Sequence, residues 1–493
     1  MRRPELLALL LAGCTLGPDY QRPPLVVPDQ FRAAGALPAT AGAADAAWWQ
    51  QFGDPALDTL VAESLAANQD LFAAAARVER FQGVLATTRA GLYPQVAAQA
   101  DASRNRLSTG GSTPLPVSNP FNSVGLNLLA DWELDLFGRI RRQSEASLAD
   151  LRASEEFRRG VILSLVSSVA AGYIRLRDLD RELEVSRVTL KSREDALALF
   201  QRRFRGGVVS EMELAQARSE YAAALKTVPA LEQSIAQQEN AVSVLVGRNP
   251  GPIVRGRGIE QLAAPSVPAD LPSALLARRP DLREAEQSLV AANARIGAAR
   301  ALYFPTISLT AALGVASRSL SGLFDGPART WSYGGLVTQP IFTAGGIAGQ
   351  VQSAEAAQRE SLARYRSTVQ TAFRETEDAL VAVEKSALAR DAQAQQVEAL
   401  SRYAVQARRR YEGGYSSYLE VLDAERSLFT AQLQLSQSQA DTLLQYTALY
   451  KALGGGWVDL AERSAPPVAP KGNVGRAGYP ASLDAALPLE SAR

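Results

Sequence analysis

Along "VGLNLLADWELDL" the residues Val124, Leu126, Leu128, Ala130, Trp132 and Leu134 fall on one side of an extended chain, and Gly125, Asn127, Leu129, Asp131, Glu133 and Asp135 on the other. A period of two held this long predicts an amphipathic strand over about residues 123–136. "YPQVAAQADASRN" supplies a partner strand, about 94–104, in which Val96, Ala98, Ala100 and Ala102 oppose Gln95, Gln99, Asp101 and Ser103. It starts at Pro94, which stops the helix before it. The loop between the two, "RLSTGGSTPLPVSNP", has surface composition. A second pair, at about 305–314 and 331–342, follows in "PTISLTAALG" and "WSYGGLVTQPIF", joined by "ASRSLSGLFDGPAR".

No proline lies between Phe121 and Val228 or between Ile341 and Ala465. From Arg139 to Arg205 one continuous helix would be about 100 Å long. Within it Ile162, Val169, Leu176, Leu183, Leu190, Leu197 and Phe204 recur every seventh residue, an apolar seam suited to a left-handed supercoil. The corresponding line in the second half is less regular, with Val369, Val383, Val397 and Tyr411 interrupted by Thr376 and Arg390.

These two halves are copies. Glycine pairs break the long helices at Gly206 and Gly207 and again at Gly413 and Gly414, and the same shift of 207 carries Glu213 to Glu420, Ala217 to Ala424 and Gly247 to Gly454. Upstream, a shift of 211 carries Asp70 to Asp281, Arg89 to Arg300 and Pro94 to Pro305. The chain is a tandem duplication. Repeat one covers 48–250, a linker 251–275, and repeat two 276–457. The segment 458–493, with "SAPPVAPKG", is expected to be disordered or loosely packed.

Strands of about ten residues with one apolar face suit an outer-membrane barrel, and the competing reading is a soluble two-hairpin sheet on a core. Four strands cannot close a barrel, so the chain must oligomerise: two copies give eight strands with a filled interior, three give twelve and room for a lumen. No stretch reaches eighteen uncharged apolar residues, as a spanning helix would require.

Composition narrows the chemistry. There is no histidine, there are two methionines, and the single cysteine is Cys14, which argues against metal clusters, Cys/His nucleophiles and cofactor chemistry. Carboxylate-only catalysis is the weakest option left. A formal net charge of +1 with no basic block gives nothing to hold nucleic acid. "MRRPELLALLLAGC" reads as an export signal over residues 1–13, ahead of an extended N-terminal segment, 14–47. "LAGC" resembles a bacterial lipobox, in which Cys14 is acylated to anchor the chain in lipid; Thr15 after it favours the outer membrane.

"CTLGPDY", "WWQQFGDPALDTLV" from Trp48, "YLEVLDAERSLFTAQ" and "LYKALGGGW" ending at Trp457 together resemble the TolC-like outer-membrane factors, in the lipoprotein branch that serves tripartite drug efflux pumps. The resemblance implies a mixed α and β membrane protein: a homotrimer with a twelve-stranded barrel, four strands per chain, continuous with a long periplasmic coiled-coil tunnel. An equatorial belt is implied near 48–68 and 250–275. The implied partners are a periplasmic adaptor and an inner-membrane transporter of the RND type, with drugs or other small toxic compounds as cargo. A type I protein-secretion duct and a periplasmic coiled-coil structural lipoprotein are the alternatives.

By the same resemblance the glycine turns are the periplasmic tips. Glu420 and Asp423 occupy the positions of an acidic ring, with Leu419 near the narrowest point. Tyr411 and Glu213 occupy those of a latch between the repeats, although Tyr411 also continues the heptad line and reads equally as core. Arg426 is spaced to pair with Asp423 on one helix face. Ser416 stands where a distant relative has a latch arginine. Asp131, Glu133 and Asp135 either line a lumen or form the wet face of a strand.

Overall fold

A computed structural model describes residues 15–32, 39–40, 46–108, 110, 118–268 and 272–468. The export signal, Cys14 and the tail beyond residue 468 lie outside the described residues. In repeat one, helices α1 (Pro55–Ala67) and α2 (Gln69–Ala90) lead into strands β1 (Gln95–Asn105) and β2 (Phe121–Leu134), then α3 (Arg139–Arg205) and α4 (Glu211–Val246). In repeat two, α5 (Pro272–Arg278) and α6 (Pro280–Ala301) lead into β3 (Thr306–Ser317) and β4 (Arg329–Thr338), then α7 (Gly346–Glu412), α8 (Tyr418–Leu453) and a short α9 (Trp457–Glu462). Helices α3 and α7 are each 67 residues long, and α4 and α8 each 36. Equal lengths follow from the duplication, since copied spacing copies the caps.

All four strands form one antiparallel sheet in the order β1-β2-β3-β4. Its register aligns Ala98, Leu128, Leu313 and Trp331 in one row, and Gln99, Asn127, Gly314 and Thr330 in the next. One face is therefore apolar and the other polar. The apolar face is uncovered: Leu128, Leu313, Trp331 and Tyr333 are 53%, 64%, 72% and 81% exposed. A soluble sheet would bury that face on a core, so the competing soluble reading fails. Strand β4 stops at Thr338, short of the expected 342, because Pro340 lacks the N–H that a ladder needs.

The main core lies midway along the long helices. There Trp48, Phe52, Tyr173, Tyr450 and Trp457 are fully buried, with Trp48 stacked on Tyr450 at 5.2 Å and edge-on to Trp457. Asp54, also buried, caps α1 through the Ala56 amide, and its carboxylate accepts from the Tyr173 hydroxyl at 2.6 Å and the Arg257 amide. Segments 48–67 and 251–262 are thereby pinned to the middle of α3. One window of α3 is apolar enough by composition to cross a membrane, but 56% of it is buried inside the chain in this core.

Two expectations need correction. Beyond 457 the chain stays packed as far as it is described: Val458, Ala461 and Ala465 are buried, and Arg158 donates to Glu462 and to the Pro466 carbonyl. The heptad seam of α3 is fully buried at Ile162, Val169 and Leu176 but only partly at Leu183, Leu190 and Leu197, and Phe204 is exposed. Toward the tip the buried line is instead Ser186, Arg193 and Phe200. That flank is covered by α8, whose Tyr418 ring lies 4.4 Å from that of Phe200.

Candidate functional site at the hairpin tips

Both long hairpins turn in the same way. At the first tip the Val208 amide bonds the Arg203 carbonyl and the Gly207 amide that of Phe204; at the second, Tyr415 and Gly414 make the equivalent bonds to Arg410 and Tyr411. Gly207 and Gly414 have φ of +73° and +76°, which is why glycine stands there. Gly206 and Gly413 have ordinary negative φ.

The helices that restart are capped differently. Ser210 and Glu213 form a reciprocal capping box: the Ser210 hydroxyl accepts from the Glu213 amide, and the Glu213 carboxylate accepts from the Ser210 amide at 2.8 Å and hydroxyl at 2.9 Å. These bonds hold the Glu213 carboxyl below its usual range. Ser417 makes no side-chain cap bond, and Glu420 instead lies 3.8 Å from Arg410.

The expected pairing of Tyr411 with Glu213 is therefore replaced. Glu213 is committed to its own helix end, and the Tyr411 hydroxyl takes a hydrogen bond from Arg203 of α3, whose guanidinium also lies 5.6 Å from the tyrosine ring. Tyr411 is at once interhelix contact and core, since it packs with Tyr418 beside Ala404, Ala407, Val421 and Ala424. Asp423 and Arg426 sit 3.9 Å apart on one helix face, as their spacing predicts, and Leu419 is 61% exposed. Ser416 has a buried hydroxyl with no hydrogen-bond partner among the described residues.

Sequence reasoning missed a group just behind the tip. The two carboxylate oxygens of Glu425 on α8 receive Arg193 of α3, at 3.0 Å, and Arg408 of α7. A signal existed: by the repeat shift Arg193, Arg408 and Glu425 correspond to Leu400, Gln201 and Arg218, so these charges break the internal symmetry.

An uncovered apolar sheet face, two sheet edges unpaired among the described residues and helices about 100 Å long define the protomer of a membrane channel that continues as a helical tunnel. The sequence matches the outer membrane efflux protein family over residues 60–248 and 271–455, and the chain belongs to that family. It is 38% identical over 468 residues to the solvent efflux pump outer membrane protein SrpC of Pseudomonas putida, covering 92% of this chain and 98% of that one. To the cation efflux system protein CusC of Escherichia coli it is 36% identical over 458 residues, with 92% and 98% covered. Among solved structures it is similar to the outer-membrane channel OprN (TM-score 0.83, 31% identity, 90% of this chain and 100% of that one). The open state of the MtrE outer membrane channel of Neisseria gonorrhoeae gives a TM-score of 0.81 at 33% identity, with 90% and 99% covered. Members of this family are trimeric outer-membrane channels that reach into the periplasm and work with an adaptor and an inner-membrane transporter in efflux pumps.

Proposed function

We propose that three copies of this chain form a duct that passively conducts drugs or other small toxic compounds outward, and that the hairpin tips are its gate. The observation that carries the gate reading is the Arg203–Tyr411 hydrogen bond, which ties the end of one hairpin to the end of the other. The acids Glu420 and Asp423 stand beside it, Glu420 against Arg410 and Asp423 against Arg426. In the closed state such contacts hold the tips together; an adaptor that binds only the separated tips shifts the population toward open. The transporter would be a proton-driven one of the RND type. Organic compounds are favoured as cargo because relatives at 37–38% identity are named for solvent, toluene and antibiotic efflux.

Acylation of Cys14 is part of the same proposal. The Leu16 amide bonds the Phe137 carbonyl, and Arg142 donates to the carbonyls of Leu16 and Gly17, so the segment that follows Cys14 is clamped at the junction of β2 and α3. An acyl chain on the preceding residue reaches the periplasmic leaflet beside the foot of the sheet. The decisive experiment is compound accumulation in a deletion strain with and without the wild-type gene. Restored exclusion of organic toxicants is expected. Equal accumulation overturns the reading, and restored protein export without drug exclusion replaces it with a secretion duct.

A further inference from the structure

Glu425 lies about one and a half helical turns beyond Glu420, behind the constriction rather than in it. Its carboxylate is 15% exposed and the Arg193 side chain 4%, so this pair has left water, unlike Asp423 and Arg426 at 56% and 68%. Three helices meet there. Arg193 belongs to the first hairpin, whereas Arg408 and Glu425 belong to the two arms of the second. The aromatic pair Phe200 and Tyr418 closes one side, and burial together with the Glu425 charge raises the Tyr418 hydroxyl above its usual range. One anion thus stands between two cations. Arg408, at 52%, reaches water without it, but Arg193, held by packing, would be left a buried cation without its partner.

We infer that Glu425 is an electrostatic pin that holds the first hairpin against the second, a gating residue distinct from the Tyr411 contact. The inference rests on the reading of the tips as a gate. Neutralising the anion leaves the buried Arg193 guanidinium unpaired, which α3 relieves by moving off α7 and α8 until that group meets water, the motion that separates the tips. Removing the Arg193 charge as well abolishes that penalty. A residue needed only for packing behaves otherwise, because a second buried truncation adds to the damage of the first.

The test uses the full-length purified trimer in planar bilayers, with heat-resistant trimer migration as the control for assembly. Glu425→Gln is expected to raise the open-to-closed ratio by roughly tenfold or more, since a buried charge left without its partner is strongly unfavourable. Adding Arg193→Gln is expected to bring the ratio back toward wild type. The rise should persist in about 1 M salt, which screens the exposed Arg408 and the Asp423–Arg426 pair but not the buried Arg193. If Glu425→Gln does not assemble, Glu425→Asp, too short to reach both arginines, should give an intermediate rise. Wild-type gating in whichever variant assembles, or a double variant as open as Glu425→Gln or more so, overturns the pin. Conductance unchanged in Tyr411→Phe, Arg203→Gln and Glu425→Gln alike overturns the gate reading itself, whereas a change in the first two alone overturns only the pin, so the two failures are distinguishable.

Discussion

Arg203 and Tyr411 meet across 208 residues of chain, the guanidinium donating to the phenol at the point where the two hairpins end. They come from opposite copies of the duplication: Arg203 corresponds to Arg410, and Tyr411 to Phe204. Phe204 has no hydroxyl, so the reciprocal bond cannot form. The difference between Phe204 and Tyr411 makes the two tips a lock with a donor side and an acceptor side.

The first prediction follows directly. Tyr411→Phe keeps the ring in its cluster and removes only the hydroxyl, and Arg203→Gln removes the donor. Each is expected to destabilise the closed tips by about 1 kcal/mol per chain, since Arg203 is part exposed and its bond partly screened. Single-channel conductance in bilayers should rise for both, and the double variant should exceed neither by much. Glu213→Gln, by contrast, should leave conductance unchanged and keep the capping box, whereas Ser210→Ala should weaken the α4 cap by about 1 kcal/mol, read as earlier thermal fraying.

The glycine pairs divide the second prediction. Gly207→Ala and Gly414→Ala force a side chain into the left-handed region and should each cost about 1 kcal/mol, although space around both is open. Gly206→Ala should be nearly neutral, with negative φ and no atom closer than 3.6 Å. Gly413→Ala meets the Tyr415 ring at 2.9 Å and should displace that ring rather than unfold the turn. Limited proteolysis at the tips ranks the four.

Periodic features were legible in the sequence because burial repeats with geometry. The alternation from Val124 to Leu134 became β2, the proline-free tract became a helix from Arg139 to Arg205, and the glycine pairs became turns. The tip contacts were less legible, because Arg203–Tyr411 and Arg193–Glu425 depend on how two hairpins lie together, which no local pattern encodes. Glu213 shows a nearer cause. Its Ser210-x-x-Glu213 spacing is a local capping signal, and a cap three residues away outcompetes a partner two hundred residues away. The spacing alone did not decide it, since Ser417 and Glu420 repeat it without forming the box.

The sheet supplies a third prediction. Leu313→Arg and Trp331→Arg place a charge on the apolar face and should cost about 2–4 kcal/mol if that position lies near the bilayer midplane. Thr330→Arg and Asn127→Arg, in the neighbouring polar row, should be tolerated. Heat-modifiable migration of the trimer in detergent separates the two sets: loss for the first pair, retention for the second. Equal loss in both would mean that the polar face does not look into water.

The fourth prediction concerns pH. Asp178 of α3 is buried against α8, its carboxylate accepting from the Ser436 hydroxyl at 2.7 Å. Burial pushes its pKa up to about 6; Glu182 and Asp441 push the same way, while the Ser436 bond and Arg175, 3.5 Å away, oppose them. In the unfolded chain the group titrates near 3.8, so the packed state binds the proton more tightly. Its contribution to stability is therefore fully present below pH 4, declines as pH rises through 6, and is absent at neutral pH. A shift of this size amounts to at most about 3 kcal/mol per chain. The temperature at which α3 separates from α8, followed by hydrogen exchange or by trimer dissociation, should accordingly be higher at pH 5 than at pH 7.5. Asp178→Asn keeps an acceptor for Ser436 and removes the titration, so it should flatten that dependence and raise the neutral-pH value toward the acid one. An unchanged pH dependence in this variant would assign it to other groups.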